Sequence, residues 1–293
     1  MHTSTLNTST DTGPLIKAFA HGKGLVVFTL LFSIVMLALA GFVLYLSTIL
    51  PTNGVGGSAG SNPVLVIYAA SGFLVVLAAV LFGIHLWQKK LRGTQYEVYE
   101  QGIAAIDRAG RHYTPFAEIE DLYLFASGQA AFTGLITNLA YRRTEHDPFH
   151  RVIASLKSFY EFQQLVRELH VRARVPIVLN ALESGEAVTF RFVDTGQVWG
   201  KRMGGDFLNI KTQSITMTRE WLEVEGRKMP LSSLASVDLN TWSEKITLVD
   251  EHGKPMLSTI ATGILSHDVF LATLEVLLHA KQLDFAEPTP DLA

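Results

Sequence analysis

Between Lys23 and Lys89 the chain carries no Asp, Glu, Lys or Arg, and that gap constrains the fold more than any other feature. Two runs inside it are long enough to span a bilayer. GLVVFTLLFSIVMLALAGFVLYLSTIL runs from Gly24 to Leu50, and VLVIYAASGFLVVLAAVLFGIHLW runs from Val64 to Trp87. A span needs about 20 mostly apolar residues to cross roughly 30 Å of hydrocarbon. Lipid offers the backbone no hydrogen-bond partners, so both runs must be helices. A core hairpin of a soluble protein does not need charge-free runs of this length. The expected spans are residues 24–50 and 64–88, joined by an external loop over 51–63, PTNGVGGSAGSNP. The glycines of that loop follow no strand and precede no Lys-Ser/Thr pair, so they form no phosphate cradle.

The basic flanks set the orientation. Lys17 and Lys23 precede the first span, and Lys89, Lys90 and Arg92 follow the second. The positive-inside rule puts both termini in the cytoplasm, with the chain a multi-pass protein of the inner membrane. Trp87 fits an interfacial anchor. Ala38-Leu39-Ala40 resembles a signal cleavage site but sits mid-span, so the first helix is expected to stay uncleaved. Ala79-x-x-x-Gly83 suggests close helix approach, within the hairpin or with a second copy. His85 has no acidic partner and reads as an interface histidine. Residues 1–23, Ser/Thr-rich at their start, read as a disordered cytoplasmic tail, and 284–293 as a C-terminal tail.

Composition agrees. Apolar residues make up 48% and charged residues 17%, against roughly 25% charged in an average soluble domain. With no cysteine there is no disulfide framework, thiolate zinc site or cysteine nucleophile. A net charge of -3 gives no reason to expect nucleic acid. After the second span acidic residues outnumber basic ones, so net charge does not draw that region onto an anionic leaflet.

The region beyond Gly93 divides into similar halves. The first contains YEVYEQGIAAIDRAGRHYTPFAEIEDLYLF from Tyr96 to Phe125, and the second TMTREWLEVEGRKMPLSSLASVDL from Thr216 to Leu239. Pro115 is followed by Phe116, Ile119 and Leu122, and Pro230 by Leu231, Leu234 and Val237. Equal offsets after each proline, with Gly110-Arg111 and Gly226-Arg227 ahead of them, indicate a duplicated unit. Period-two alternation at 188–193, 222–225 and 246–249 predicts antiparallel strands with one face on a core. Each half closes on one amphipathic helix. The first is expected from Ser158 to about Arg172, with Ser158 and Glu161 as a capping box. The second runs from an N-cap at Ser266 to about His279. The apolar stretch Val175–Leu179 is expected to pack the halves into one rigid unit, and Glu183 to Thr212 to add an extra hairpin to the second.

Antiparallel strands followed by one helix, with the strand–turn–strand and Pro-apolar pattern at Gly102–Ile119 and Trp221–Leu234, resemble the pleckstrin-homology-like (PH-like) fold. They look most like bacterial membrane-anchored PH-like proteins, in which a two-helix anchor precedes the domains. The resemblance implies an α+β protein with a transmembrane hairpin followed by PH-like domains over 94–174 and 183–283, each an antiparallel sheet or partial barrel capped by one C-terminal helix. The position after the proline is often Trp in such families, and here it is Phe116 or Leu231.

No Walker lysine motif, HExxH or GxSxG elbow occurs. His146 and His150 are ligand types, but Pro148 breaks any helix that would align them, so they read as loop histidines. Glu118, Glu120 and Asp121 read as a solvated face beside Ile119. Arg142, Arg143 and Arg151 are basic candidates without a motif. Eukaryotic PH domains bind phosphoinositides through a basic loop between their first two strands. The corresponding loop, Asp107–His112, offers only Arg108 and Arg111. Trp199, Lys201 and Arg202 lie in a Gly-rich loop suited to a membrane surface. Those five residues are the candidate contacts for a partner or membrane surface. No catalytic residue, cofactor or metal is expected. The reading is a non-catalytic membrane-anchored module that binds a protein partner or self-assembles by strand addition. A lipid-headgroup or envelope-signal sensor is the alternative.

Overall fold

A computed structural model describes residues 12–49, 63–126, 135–193, 208–240, 245–250, 253 and 255–286. They form two compact units: residues 20–95 with 107–109, and the remainder.

The first unit is built on α1 (Gly24–Ile49) and α2 (Pro63–Leu91), both long and apolar enough to cross a membrane. Leu31 is 57% exposed and Phe73 67%, unlike the side chains of a soluble core helix. The seam between them repeats every seven residues. Val26, Ser33 and Ala40 on α1 face His85, Ala78 and Ser71 on α2, in antiparallel register. The Ser33 hydroxyl donates to the Ala78 carbonyl at 2.9 Å, and the Ser71 hydroxyl to the Ala40 carbonyl at 3.1 Å. His85 Nδ1 donates to the Val26 carbonyl at 2.9 Å. At the open end Arg92 donates to the Gly22 carbonyl at 3.2 Å. Ala79 and Gly83 are not in this seam. Both are exposed, and a Cβ at Gly83 would meet nothing within 4 Å. The serine and histidine bonds fix the contact on the neighbouring stripe. Ala40→Leu is therefore expected to cost about 1–3 kcal/mol by overpacking. Gly83→Leu should change little. Unfolding of the full-length protein in SDS-containing mixed micelles separates the two.

The second unit begins before the helices. β1 (Leu15–Phe19) pairs antiparallel with β2 (Gln95–Tyr99), the strand that follows them. β3 (Gly102–Ile106) and β4 (Arg111–Pro115) complete a sheet of order β1-β2-β3-β4. A 3-10 turn at Phe116–Glu118 leads into β5 (Asp121–Phe125), β6 (Asn138–Arg142) and β7 (His150–Ile153), a second sheet in sequence order. Helix α3 (Phe159–Glu183) follows. The next stretch has β8 (Val188–Val193), β9 (Thr212–Met217), β10 (Trp221–Val224) and β11 (Arg227–Pro230) in one sheet. A 3-10 turn at Leu231–Ser233 leads to β12 (Leu234–Asn240), β13 (Lys245–Asp250) and β14 (Pro255–Ile260), and then to α4 (His267–Ala286).

One expectation changes here. The segment 1–23 is not all tail, because residues 15–19 form an edge strand; residues 1–11 lie outside the described residues. Residues 194–207 of the hairpin expected over Glu183 to Thr212 lie outside the described residues, and the strand at 188–193 pairs with β9. It holds the place in its sheet that β1 holds in the other. Phe19 on β1 meets Phe162 on α3 edge-on, at 5.2 Å and 80°. Phe190 on β8 meets Phe270 on α4 at 5.3 Å and 74°.

The proline positions behave alike for a stated reason. Pro115 has φ -63 and ψ 140, and Pro230 has φ -61 and ψ 138. The ring fixes φ, and the next amide turns back to donate across the hairpin, Phe116 to the Gln101 carbonyl at 2.9 Å and Leu231 to the Glu220 carbonyl at 2.8 Å. This drives Phe116 and Leu231 into separate cores.

Helix α3 runs past the expected end at Arg172, through Pro176, to Glu183. Phe159, Phe162, Val166 and Leu169 fill the first core, whereas Val178 and Leu182 enter the second. Burying those two side chains is worth roughly 1.5–3 kcal/mol each, enough to offset the roughly 3 kcal/mol cost of an internal proline. One helix thus serves both cores. The boundary expected near residue 174 falls inside it. At the other end α4 extends to Ala286, into the expected C-terminal tail; residues 287–293 lie outside the described residues.

Candidate interaction surface

Of the five candidate contacts, Trp199, Lys201 and Arg202 lie outside the described residues, as does most of the loop expected over 51–63. Arg108 is exposed in the turn after β3, where the Ala109 amide donates to Asp107 Oδ1 at 2.7 Å. Arg111 opens β4. Its guanidinium lies over the Tyr99 ring at 5.2 Å and the Tyr113 ring at 5.8 Å, with Glu97 at 3.6 Å. Hydrogen bonding to Tyr99, with Glu97 nearby, holds Arg111 above its ordinary pKa.

Arg111 borders a groove of about 390 Å³ along β4, lined also by His112, Thr114, Arg143, Asp147 and His150. β4 is an end strand of its sheet. Arg143 donates to the Tyr113 carbonyl at 2.9 Å and pairs with Glu118 at 3.2 Å. Thr144 hydrogen bonds hold the exposed Asp147 below its usual carboxylate range. His150 stacks on Tyr141 at 5.3 Å, and His146 is 87% exposed in the adjoining turn. Among the described residues no three His, Asp or Glu side chains gather as metal ligands do. The groove's arginines already have carboxylate partners, so it suits an extended chain beside a strand edge better than a multiply charged anion.

Among the described residues the largest charge cluster lies elsewhere and corrects the solvated-face reading. Asp121 is only 1% exposed. Arg142 Nε reaches its Oδ2 at 2.6 Å, and Arg191 on β8 reaches its Oδ1 at 3.1 Å. Arg191 also bonds Glu145 at 2.9 Å and Glu120 at 3.3 Å. Burial pushes Arg191 down, but Asp121, Glu145 and Glu120 together hold it above its usual pKa. The same guanidinium, by its hydrogen bond and its charge, lowers Glu145. The unbroken apolar run Leu122–Phe125 was the available signal, since a strand buried on both faces drags its first residue inside with it.

Ser266 and Ser158 were both expected to cap helices. Ser158 has φ 58 and no side-chain cap bond, and Glu161 pairs instead with Lys17 on β1. Ser266 has φ 54 and turns outward onto β5. Its amide donates to the Leu122 carbonyl at 2.7 Å, and its hydroxyl donates to the Glu120 carbonyl at 2.7 Å and accepts from the Leu122 amide at 2.9 Å. Close by, Arg167 on α3 makes a two-pronged bond to Asp268 on α4, both contacts 2.7 Å. His170 donates from Nε2 to the Ile119 carbonyl at 3.0 Å. Burial pushes it down to about 4, so it stays neutral at neutral pH.

Comparison of the chain with family models, curated proteins and solved structures gives no match.

Proposed function

We propose that this chain is a non-catalytic, membrane-anchored interaction module. It displays two PH-like domains at the cytoplasmic face of the inner membrane and binds a protein partner or further copies of itself. One observation carries the reading. The order of four-strand sheet, proline-led turn, three-strand sheet and helix occurs twice, and the first occurrence is interrupted between β1 and β2 by two bilayer-length helices. Pairing of β1 with β2 supports both ends of the hairpin lying on one side of the membrane, and the basic flanks favour the cytoplasm for that side.

The chemistry of the site favours holding over transforming. Asp121 is locked between two arginines and His170 is tied to a backbone carbonyl, whereas acid–base work needs a free group in a cleft. The edge of β4 and its groove suit an extended peptide. Arg111 and Arg143 are neutralised by Glu97 and Glu118, which weighs against a phosphoinositide headgroup there.

Two measurements test this. Because the chain has no cysteine, single substitutions report topology cleanly. Ser58→Cys should react with an impermeant thiol reagent in intact cells, and Arg219→Cys only after permeabilisation; the reverse pattern sinks the orientation. A photo-crosslinking amino acid in place of His112 should yield one dominant protein adduct in intact cells. Absence of any adduct there counts against the interaction role.

A further inference from the structure

Among the described residues one junction is seen once although its parts occur twice. Ser266, ahead of α4, sits on the outer edge of β5, bonded to Leu122 and Glu120 as described, and is 3% exposed. A left-handed φ strains a non-glycine residue, and those bonds offset the strain. Ser158 stands at the same place ahead of α3. Its carbonyl accepts from the Phe162 amide at 3.0 Å, as that of Ser266 accepts from Phe270 at 3.0 Å. Its φ of 58 repeats the 54 of Ser266. Yet Ser158 is exposed, its side chain makes no cap bond, and Lys157 beside it is exposed where Leu265 is 1% exposed.

The receiving strand recurs too. Leu122 and Val237 each follow their proline at the same offset, and β12 is an end strand of its sheet, as β5 is. The chain therefore holds a turn shaped for a strand edge, and a strand equivalent to the one that accepts such a turn.

We infer that the Leu156–Ser158 turn of one molecule seats on the outer edge of β12 in a second copy, repeating between molecules the junction that Ser266 makes with β5 within one. The inference rests on the reading of twin domains in an interaction module and names the partner. Turn and strand are different patches, so the contact is head to tail. Carried from copy to copy in one direction, it builds rows or rings.

The test uses full-length protein in its native membrane, with p-benzoylphenylalanine in place of Lys157. Irradiation should give a ladder of covalent dimers and larger species, with the linked peptide mapping to residues 234–240. Ser158→Gly keeps the turn and removes the hydroxyl, and in that background the dimer yield should fall about fivefold, the worth of one hydrogen bond. Monomer alone, or copies joined outside 234–240, overturns the inference. Adducts from position 157 to a different protein overturn it and leave the interaction-module reading standing. No adduct from either position 157 or the His112 probe counts against that reading as well.

Discussion

Replacing Asp121 by Asn should destabilise the second unit by about 3–5 kcal/mol, the usual consequence of removing one partner from a buried ion pair. The geometry makes the loss large. Asp121 accepts from Arg142 through one oxygen and from Arg191 through the other, and the two guanidinium side chains are only 12% and 13% exposed. An amide keeps the shape but leaves two cations facing each other with little water. Arg142 retains the Glu145 carbonyl at 2.7 Å, and Arg191 retains Glu145 and Glu120, so the fold weakens without vanishing. Thermal unfolding of the full-length protein in detergent measures the loss. Adding Arg191→Met to Asp121→Asn should recover part of it, since the repulsion goes with the charge. A double variant as unstable as the sum of its singles would show that the pair is not coupled.

Phe19→Ala should cost about 3–5 kcal/mol, as for other buried phenylalanines. Phe19 is 3% exposed and packs on Phe162 and Tyr96-lined core, although it lies before both apolar helices in the chain. Deleting residues 1–19 removes the strand as well and bares the edge of β2. Limited proteolysis should then cut within residues 95–153, while the stretch from β8 onward resists. Deleting residues 1–11 alone should leave the pattern as in the intact chain. Equal resistance of the intact and 1–19-deleted chains would mean that β1 is dispensable.

These two sites also mark where sequence patterns stop being informative. The helices are legible because a charge-free run has one structural solution in lipid. Strands at 222–224 and 246–248 are legible because one face of each meets a core and the other does not, and 188–192 alternates likewise until Val193, which is buried on the opposite face. β1 has no such signature. Its burial runs exposed at four positions and buried only at Phe19, and its partner lies beyond the whole hairpin. The burial of Asp121 depends on arginines 21 and 70 positions away, a separation no local pattern encodes. Ser158 and Ser266 carry a cap's chemistry, but at Ser266 hydrogen bonds to β5 win over the helix end. Of the candidate contacts, the Arg111 groove draws on the Arg143–His150 turn, which only pairing of β6 with β7 brings to β4.

The interruption between β1 and β2 also sets a timetable for biogenesis. Leu15–Phe19 leaves the ribosome first, and its mate Gln95–Tyr99 emerges only after both greasy segments have been made. On the proposed membrane reading the opening strand waits, unsatisfied along one edge, until both helices have been placed in the bilayer. A nascent chain in which a single segment inserts would maroon the two strands on opposite sides of the lipid. On that reading, closure of the first domain would depend on insertion of the hairpin as a whole.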